Sequence, residues 1–383
     1  MNKINHSVHF FYPQGKYLMG QEVASRLILQ SLSDRWAFKP HQIPGIDRKE
    51  RYKLYSFLKY VFKVLQLWAN IISLAFRKNI SVYLNLGQSW NSILRDGLPF
   101  ICFKLFRNNI PIVISLHGQW FAEWPRASWK MRSFLKTLSI AKLIVVLSDS
   151  QKQLLVEYGL KKESIRVIAN TCDIEPLSDD QLKSKHISDN TVKILFLSNL
   201  IDSKGYKEFL GMLGLLKDLN CSKNIEATLC GNIMQAGFSE EPVETVKNIE
   251  GLITELNNND NISITWTKGA YGTEKQELFR KSHIFVFPSR IEAQPIVLLE
   301  AMASGCAIIS SKAGLIPSML EDNAAVLLEN LSHEEIAKQT VNLINNQHKR
   351  ISLTQTALER YRNLFSISVY EKSWNNIFIE LTT

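Results

Sequence analysis

The segment Phe287–Ser311, FPSRIEAQPIVLLEAMASGCAIISS, carries the side chains best suited to chemistry. Two glutamates, Glu292 and Glu300, are separated by seven residues. Glu292 follows an apolar run and a Pro-Ser turn, whereas Glu300 falls inside a helix that Pro295 can open and Gly305 can end. Glu300 sits among Val297, Leu298, Leu299, Ala301 and Met302, where an uncompensated carboxylate is costly. Such a group needs a donor-rich partner, and the adjacent hydroxyls of a sugar suit it. The loop at Glu292 also delivers backbone N–H groups at a helix N-terminus, a natural place for a phosphate or a developing negative charge. The plainer alternative is that Glu292 caps the helix and Glu300 points to solvent.

Short apolar runs alternating with helix-length amphipathic stretches must position these residues. Strands are expected at Val8–Tyr12, Ile80–Leu84, Ile112–Leu116, Leu143–Leu147, Lys193–Leu197, Ile225–Cys230, Ile262–Trp266, Ile284–Phe287 and Ala307–Ser310, with helices such as Tyr206–Leu219, Pro242–Leu256 and Pro295–Ala303 between them. Alternation of this kind means doubly wound parallel sheets covered on both faces. A chain of 383 residues is about right for two such domains. The polar stretch EPLSDDQLKSKHISDN, from Glu175 to Asn190, is the best linker. Domain one therefore runs over residues 1–175 and domain two over 190–360. Two such domains facing across a cleft at the linker would hold a ligand at the carboxyl ends of their strands.

Hydrophobic residues at 45% and charged residues at 21% describe a globular chain. Five cysteines without a C-x-x-C pair argue against a disulfide framework and a zinc site. The N-terminus lacks a signal-peptide layout, which reads as a cytoplasmic protein. The net charge of +9 is uneven: through Glu175 there are 25 basic and 11 acidic residues, a net of +14, leaving 20 basic and 25 acidic in the rest. A half-chain this basic points to an anionic partner. Anionic lipid is favoured over nucleic acid, because the chain has no recognisable nucleic-acid reading motif. Tyr52–Phe76, YKLYSFLKYVFKVLQLWANIISLAF, contains Lys59 and Lys63, with Arg48, Lys49, Arg51, Lys53, Arg77 and Lys78 at or near its ends. Its internal lysines argue against a spanning helix. Two readings stand: a helix packed on the first sheet, or one lying in a bilayer interface with basic flanks on anionic headgroups.

The glutamate pair followed by A-M-A-x-G and an apolar strand resembles the E-x7-E signature of the family 4 glycosyltransferases of the GT-B fold. Phe196–Gly205, FLSNLIDSKG, is similar to that family's strand-to-loop segment that grips the donor diphosphate; Leu116–Phe121, LHGQWF, to its first-domain His-Gly element; and Lys142–Asn170 to its strand, serine-led helix and closing Asn. Tyr361–Ile379 looks like its closing helix, which crosses back to the first domain, so that 361–383 joins 1–175.

The resemblance implies a fold of two Rossmann-like domains and a nucleotide-sugar donor, a UDP-sugar or GDP-mannose, with no further cofactor and no metal. Glu300 would hold the ribose hydroxyls. Glu292 would contact the transferred sugar, with the amides of Ala293, Gln294 and Ile296 near sugar and diphosphate. Lys204 would neutralise the leaving diphosphate, and His117 would touch the donor sugar. Gly15 and Gly20 would let the backbone approach the phosphates. Three positions depart from the pattern: Asn199 stands for the usual Arg, leaving a phosphate charge to Arg290 or another base; Ala293 for the usual Gly; and Ala169 for the usual Pro. The implied activity is retaining transfer to a saccharide or lipid-linked saccharide acceptor, peripheral on the inner face of a cytoplasmic membrane, in synthesis of O-antigen, capsule or exopolysaccharide. The alternatives are a nucleotide-sugar isomerase of the same fold and a non-catalytic nucleotide-sugar or membrane-binding protein.

Overall fold

The computed structural model describes residues 6–13, 20–45, 53–106, 110–186, 190–219, 221–234, 242–258 and 261–382. Gly15, Arg48, Lys49, Arg51 and Tyr52 fall outside them. The chain forms two units, Met1–Thr171 with Ile367–Thr383, and Cys172–Ser366.

In the first unit β1 (Ser7–Pro13), β2 (Ala37–Ile43), β3 (Ile80–Asn85), β4 (Ile112–Ser115), β5 (Leu143–Val146) and β6 (Ile165–Val167) form a parallel sheet in the order β2-β1-β3-β4-β5-β6. Every residue of β3, β4 and β5 is buried, which is why these strands are mostly apolar. β2 and β6 are the two edges and were not among the expected strands. The first is the polar AFKPHQI, its Pro40 tolerated only because the strand is an edge, and the second is three residues long. Helix Ile367–Thr382 completes the unit. Its Tyr370, Trp374, Ile377, Phe378 and Leu381 join Val8, Phe10, Trp36 and Tyr83 in one core.

Helix Leu54–Ser73, continued by a short 3-10 turn Leu74–Phe76, occupies the long apolar stretch. It packs by a narrow face, with Leu67, Ile71 and Leu74 buried in the core that holds Phe11, Ile43, Ile80 and Val82. Trp68 Nε1 ties it down by donating to the Arg95 carbonyl at 3.0 Å. Another apolar face has no cover among the described residues. Leu54, Leu58, Phe62, Leu65 and Ile72 recur at helical spacing and are exposed, as is Tyr55, with exposures of 76% for Tyr55 and 67% for Phe62. No described helix is long and apolar enough to cross a membrane.

The second unit holds β7 (Thr191–Leu197), β8 (Asn224–Cys230), β9 (Ile262–Thr267), β10 (Ile284–Phe287), β11 (Ala307–Ser310) and β12 (Val326–Leu327), all parallel, in the order β9-β8-β7-β10-β11-β12. This is the dinucleotide-fold order, with its reversal between β7 and β10; the first unit has the flavodoxin-like order, reversing between β1 and β3. Both are doubly wound α/β sheets, as expected. The stretch expected to be a linker carries a helix, Asp179–Lys185, and belongs to the second unit. Ser178 and Gln181 form a capping box, and Leu177 and Leu182 are buried against Leu358. Two apolar residues in a polar run are enough to dock one short helix but not enough to announce it.

Candidate functional site

The reversal between β7 and β10 opens a crevice at the carboxyl ends of those strands, and two charged side chains meet there. Lys204 ends the turn Asp202–Lys204 after β7, and Glu292 lies in the loop after β10. Their side chains pair at 2.6 Å, Lys204 Nζ to Glu292 Oε1, with only 7% of the Glu292 side chain exposed. The Lys204 ammonium also lies 5.9 Å from the centre of the Phe287 ring.

Backbone contacts fix that meeting. Arg290 N donates to the Ser203 carbonyl at 2.7 Å, and Ser289 Oγ donates to the same carbonyl at 3.1 Å. Gly205 is left-handed, with φ of 83°, and a Cβ there would come within 2.3 Å of the Pro288 carbonyl oxygen. Only glycine lets the two loops approach so closely. The helix after the second loop begins at Ile296 with Pro295 as its N-cap and no side-chain cap bond, so Glu292 does not cap it. Ala293 accepts from Leu315 N at 3.0 Å through its carbonyl and is not left-handed, so the missing glycine costs no backbone strain here.

Glu300 lies one turn into helix Ile296–Ala303 and is 2% exposed, so it does not point to solvent. Its partner is Lys275, on helix Gly272–Lys281, whose ammonium donates to Glu300 Oε1. Burial pushes the Glu300 carboxyl up, and the Lys275 charge pulls it back only in part. Burial opposes the ammonium form of Lys275, but the Glu300 carboxylate outweighs it and leaves that group raised. Asp173 stands 3.9 Å from Lys275 on its more exposed side.

Four other expected residues are placed as follows. Asn199 is half-buried in the loop after β7, its carbonyl accepting from Ile201 N at 3.0 Å. Arg290 turns toward the start of helix Tyr206–Leu216, where it meets Glu208 Oε1 at 2.5 Å and the Asp202 carbonyl at 3.3 Å. Gln294 is buried and Ile296 half-buried, at the mouth of the Glu300 helix. The second unit therefore brings Lys204 to Glu292 in the loop after β10, with Ala293, Gln294 and Ile296 following, and sets Glu300 further along the next helix against Lys275.

His117 and Gly20 belong to the first unit. His117 follows β4 and is buried; its Nδ1 donates to Asn170 Oδ1 at 3.2 Å, leaving Nε2 to accept from Ser115 Oγ at 3.0 Å and Tyr83 Oη at 3.4 Å. Burial lowers its pKa to about 4, the Asn170 bond opposing only weakly, so the ring is neutral near pH 7. Gly20 is exposed at the first turn of helix Gly20–Leu32, with open space where a Cβ would stand. Lys275 and Asp173 were not anticipated. Lys275 sits in GTEKQELFRK, a helix charged enough that no single lysine stands out.

Both units resemble known proteins. The chain matches the family model described as Glycosyltransferase Family 4 over residues 1–176 and that described as Glycosyl transferases group 1 over residues 178–360. It is 25% identical over 302 residues to an uncharacterized glycosyltransferase of Methanocaldococcus jannaschii, spanning 74% of this chain and 72% of that one. It is 25% identical over 191 residues to the D-inositol 3-phosphate glycosyltransferase of Corynebacterium efficiens, spanning 50% of this chain and 43% of that protein, less than half its length. Among solved structures, Anabaena HepE in complex with UDP and glucose shares the fold at a TM-score of 0.68 and 14% identity, covering 98% of this chain and 100% of that one. Matched by these two models over nearly all of its length, and folded as two doubly wound units with the E-x7-E glutamates at the crevice of the second, the chain belongs to the family 4 glycosyltransferases of the GT-B fold.

Proposed function

We propose that this glycosyltransferase is retaining and metal-independent. It takes a sugar from a nucleotide diphosphate, a UDP-sugar before GDP-mannose, and passes it to a saccharide carried on polyprenyl diphosphate. The observation that carries this reading is the Lys204–Glu292 pair at the β7/β10 reversal. A leaving nucleoside diphosphate gains negative charge as its bond to the sugar breaks. An ammonium held in place beforehand stabilises that charge without reorganisation. The sequence has no Asp-x-Asp with which to place a metal for the same task. Glu292 would meet hydroxyls of the transferred sugar and Glu300 those of the ribose. The acceptor hydroxyl would then approach the face the diphosphate leaves, which retains configuration. UDP is the favoured nucleotide, supported by the UDP bound in the HepE structure.

The acceptor side of the reading rests on the first unit. Its helix Leu54–Ser73 exposes Leu54, Leu58, Phe62 and Leu65 beside Lys59 and Lys63, the make-up of a helix lying in an anionic bilayer interface. This suits a lipid-linked acceptor at the cytoplasmic face of a bacterial membrane, in the assembly of a surface polysaccharide. One assay tests both halves: labelled UDP-sugars and EDTA, with a polyprenyl-diphosphate saccharide in anionic vesicles. Label is expected to enter the lipid fraction with its anomeric configuration kept. Phe62→Glu with Leu65→Glu is expected to cut vesicle binding by about tenfold or more while leaving donor binding unchanged, since each buried apolar side chain contributes about 1.5–3 kcal/mol. Inversion, abolition by EDTA, or vesicle binding indifferent to the double variant would each contradict the corresponding part.

A further inference from the structure

Glu300 takes its charge balance from a single side chain. Helix Ile296–Ala303, which carries it, packs against helix Gly272–Lys281, helix Gln347–Arg360 and the turn Tyr361–Phe365. The arginines those last two elements supply are engaged elsewhere. Arg350 donates to the carbonyls of Leu343 and Ile344, Arg360 to those of Ser318 and Met319 while pairing with Glu321, and Arg362 meets Asp179 and the Leu177 carbonyl. The remaining groups that face Glu300 are acids. Asp173 is one, and the other is the Cys172 thiol, which donates to Tyr361 Oη at 3.3 Å and is pushed up to about 12, first by burial and then by the Glu300 charge. Among the described residues Lys275 alone pairs with Glu300, and it takes Oε1. No described residue donates to Oε2.

The choice of lysine matters. An arginine fork would match both carboxylate oxygens, whereas an ammonium is a point charge that can grip one and leave the other open. We propose that Lys275 is a positioning residue for the donor: it holds Glu300 by Oε1, as an anion, so that Oε2 faces the vicinal hydroxyls of the nucleotide ribose. This rests on the reading of Glu300 as the ribose acceptor. An ionised acceptor is the stronger partner for a hydroxyl, and without Lys275 a carboxylate this deeply buried would be held protonated at neutral pH. Partnerless buried carboxyls titrate as high as about 8–9.

The test is titration of the full-length protein with UDP by calorimetry from about pH 6 to about pH 9, a range that spans such a titration. Each variant is compared with the unaltered protein at the same pH, which cancels the titration of UDP itself. Lys275→Met is expected to weaken UDP binding about tenfold at neutral pH, the difference between a charged and a neutral hydrogen bond. The loss should shrink as pH rises, because the binding-competent carboxylate is then regained. Lys275→Arg, which restores the charge but can engage both carboxylate oxygens, should return the pH profile of the unaltered protein while still binding UDP more weakly than it does. Should Lys275→Met lose folding, the isosteric Lys275→Met/Glu300→Gln pair leaves no buried charge, and it is expected to bind weakly at every pH. A Lys275→Met protein whose loss is the same at all pH values, or that binds as the parent does, overturns the proposal. Glu300→Gln separates the two ideas: if it binds UDP as tightly as the parent, the ribose role of Glu300 has failed, whatever Lys275 does.

Discussion

Lys204→Ala is expected to lower kcat about 10²–10³-fold, the usual loss when one preorganised donor to a developing negative charge is removed. The expectation follows from position. Lys204 is held at the β7/β10 reversal by three restraints: the turn Asp202–Lys204, the Ser203 carbonyl that accepts from both Arg290 N and Ser289 Oγ, and the ion pair with Glu292. Its charge therefore needs no reorganisation when the diphosphate departs. The same substitution strips Glu292 of its one ion-pair partner among the described residues while leaving that carboxylate largely buried. Part of the loss should accordingly appear as weaker donor binding, raising KM as well as lowering kcat. In a double-mutant cycle, Lys204→Ala and Glu292→Gln are expected to be far from additive, because each removes the other's partner. Steady-state kinetics on the four proteins would show it. A Lys204→Ala enzyme turning over at the parent rate would remove the leaving-group role altogether.

The second large effect concerns stability. Trp374→Ala is expected to destabilise the first unit by about 3–5 kcal/mol, the range for truncating a large core aromatic. Trp374 is 1% exposed and stands with its ring centre 5.5 Å from Tyr83 and 5.9 Å from Phe378. It is the central side chain by which Ile367–Thr382 closes a core built mainly from β1, β3, β4, β5 and helix Gly20–Leu32. For a unit of this size the loss corresponds to roughly 10 °C in Tm. Calorimetry should show the drop in the transition that does not respond to UDP, because Lys204, Glu292 and Glu300, the charged residues proposed to hold the donor, belong to the second unit. A shift of less than about 2 °C, which is under 1 kcal/mol for a unit of this size, would mean that the closing helix is not part of that core.

Much of this was legible in the residues, for reasons that differ by element. All nine expected strands form: central ones such as IFVF are covered on both faces and so read as apolar runs, whereas β8 and β9 alternate buried and exposed residues and read as short β-rich runs. The three strands not foreseen are edges: AFKPHQI is polar and carries a proline, while IRV and VL are shorter than any run that periodicity can detect. The helix Leu54–Ser73 was plain from composition. Which of its faces would be buried was not, since apolar residues surround most of it and only tertiary packing selects Leu67 and Ile71. In the site, the apolar neighbours of Glu300 announced a buried carboxylate in need of a donor. The donor found in the structure is Lys275, distant in sequence and hidden in a charged helix. Arg290 was expected to be able to supply a phosphate charge, yet its guanidinium meets Glu208, a pairing across 82 residues that no local pattern reveals.

The most direct test of the central claim is a thermal-shift titration with UDP, GDP and CMP in the presence of EDTA, on the parent protein and on Glu300→Ala. A ligand that binds only the folded state adds about 2.7 kcal/mol of stability at a hundredfold excess over its Kd. The prediction is a shift from UDP that EDTA leaves intact and that Glu300→Ala abolishes. No shift from any of the three nucleotides, or one that EDTA removes, would contradict a metal-free nucleoside diphosphate site built on Lys204, Glu292 and Glu300.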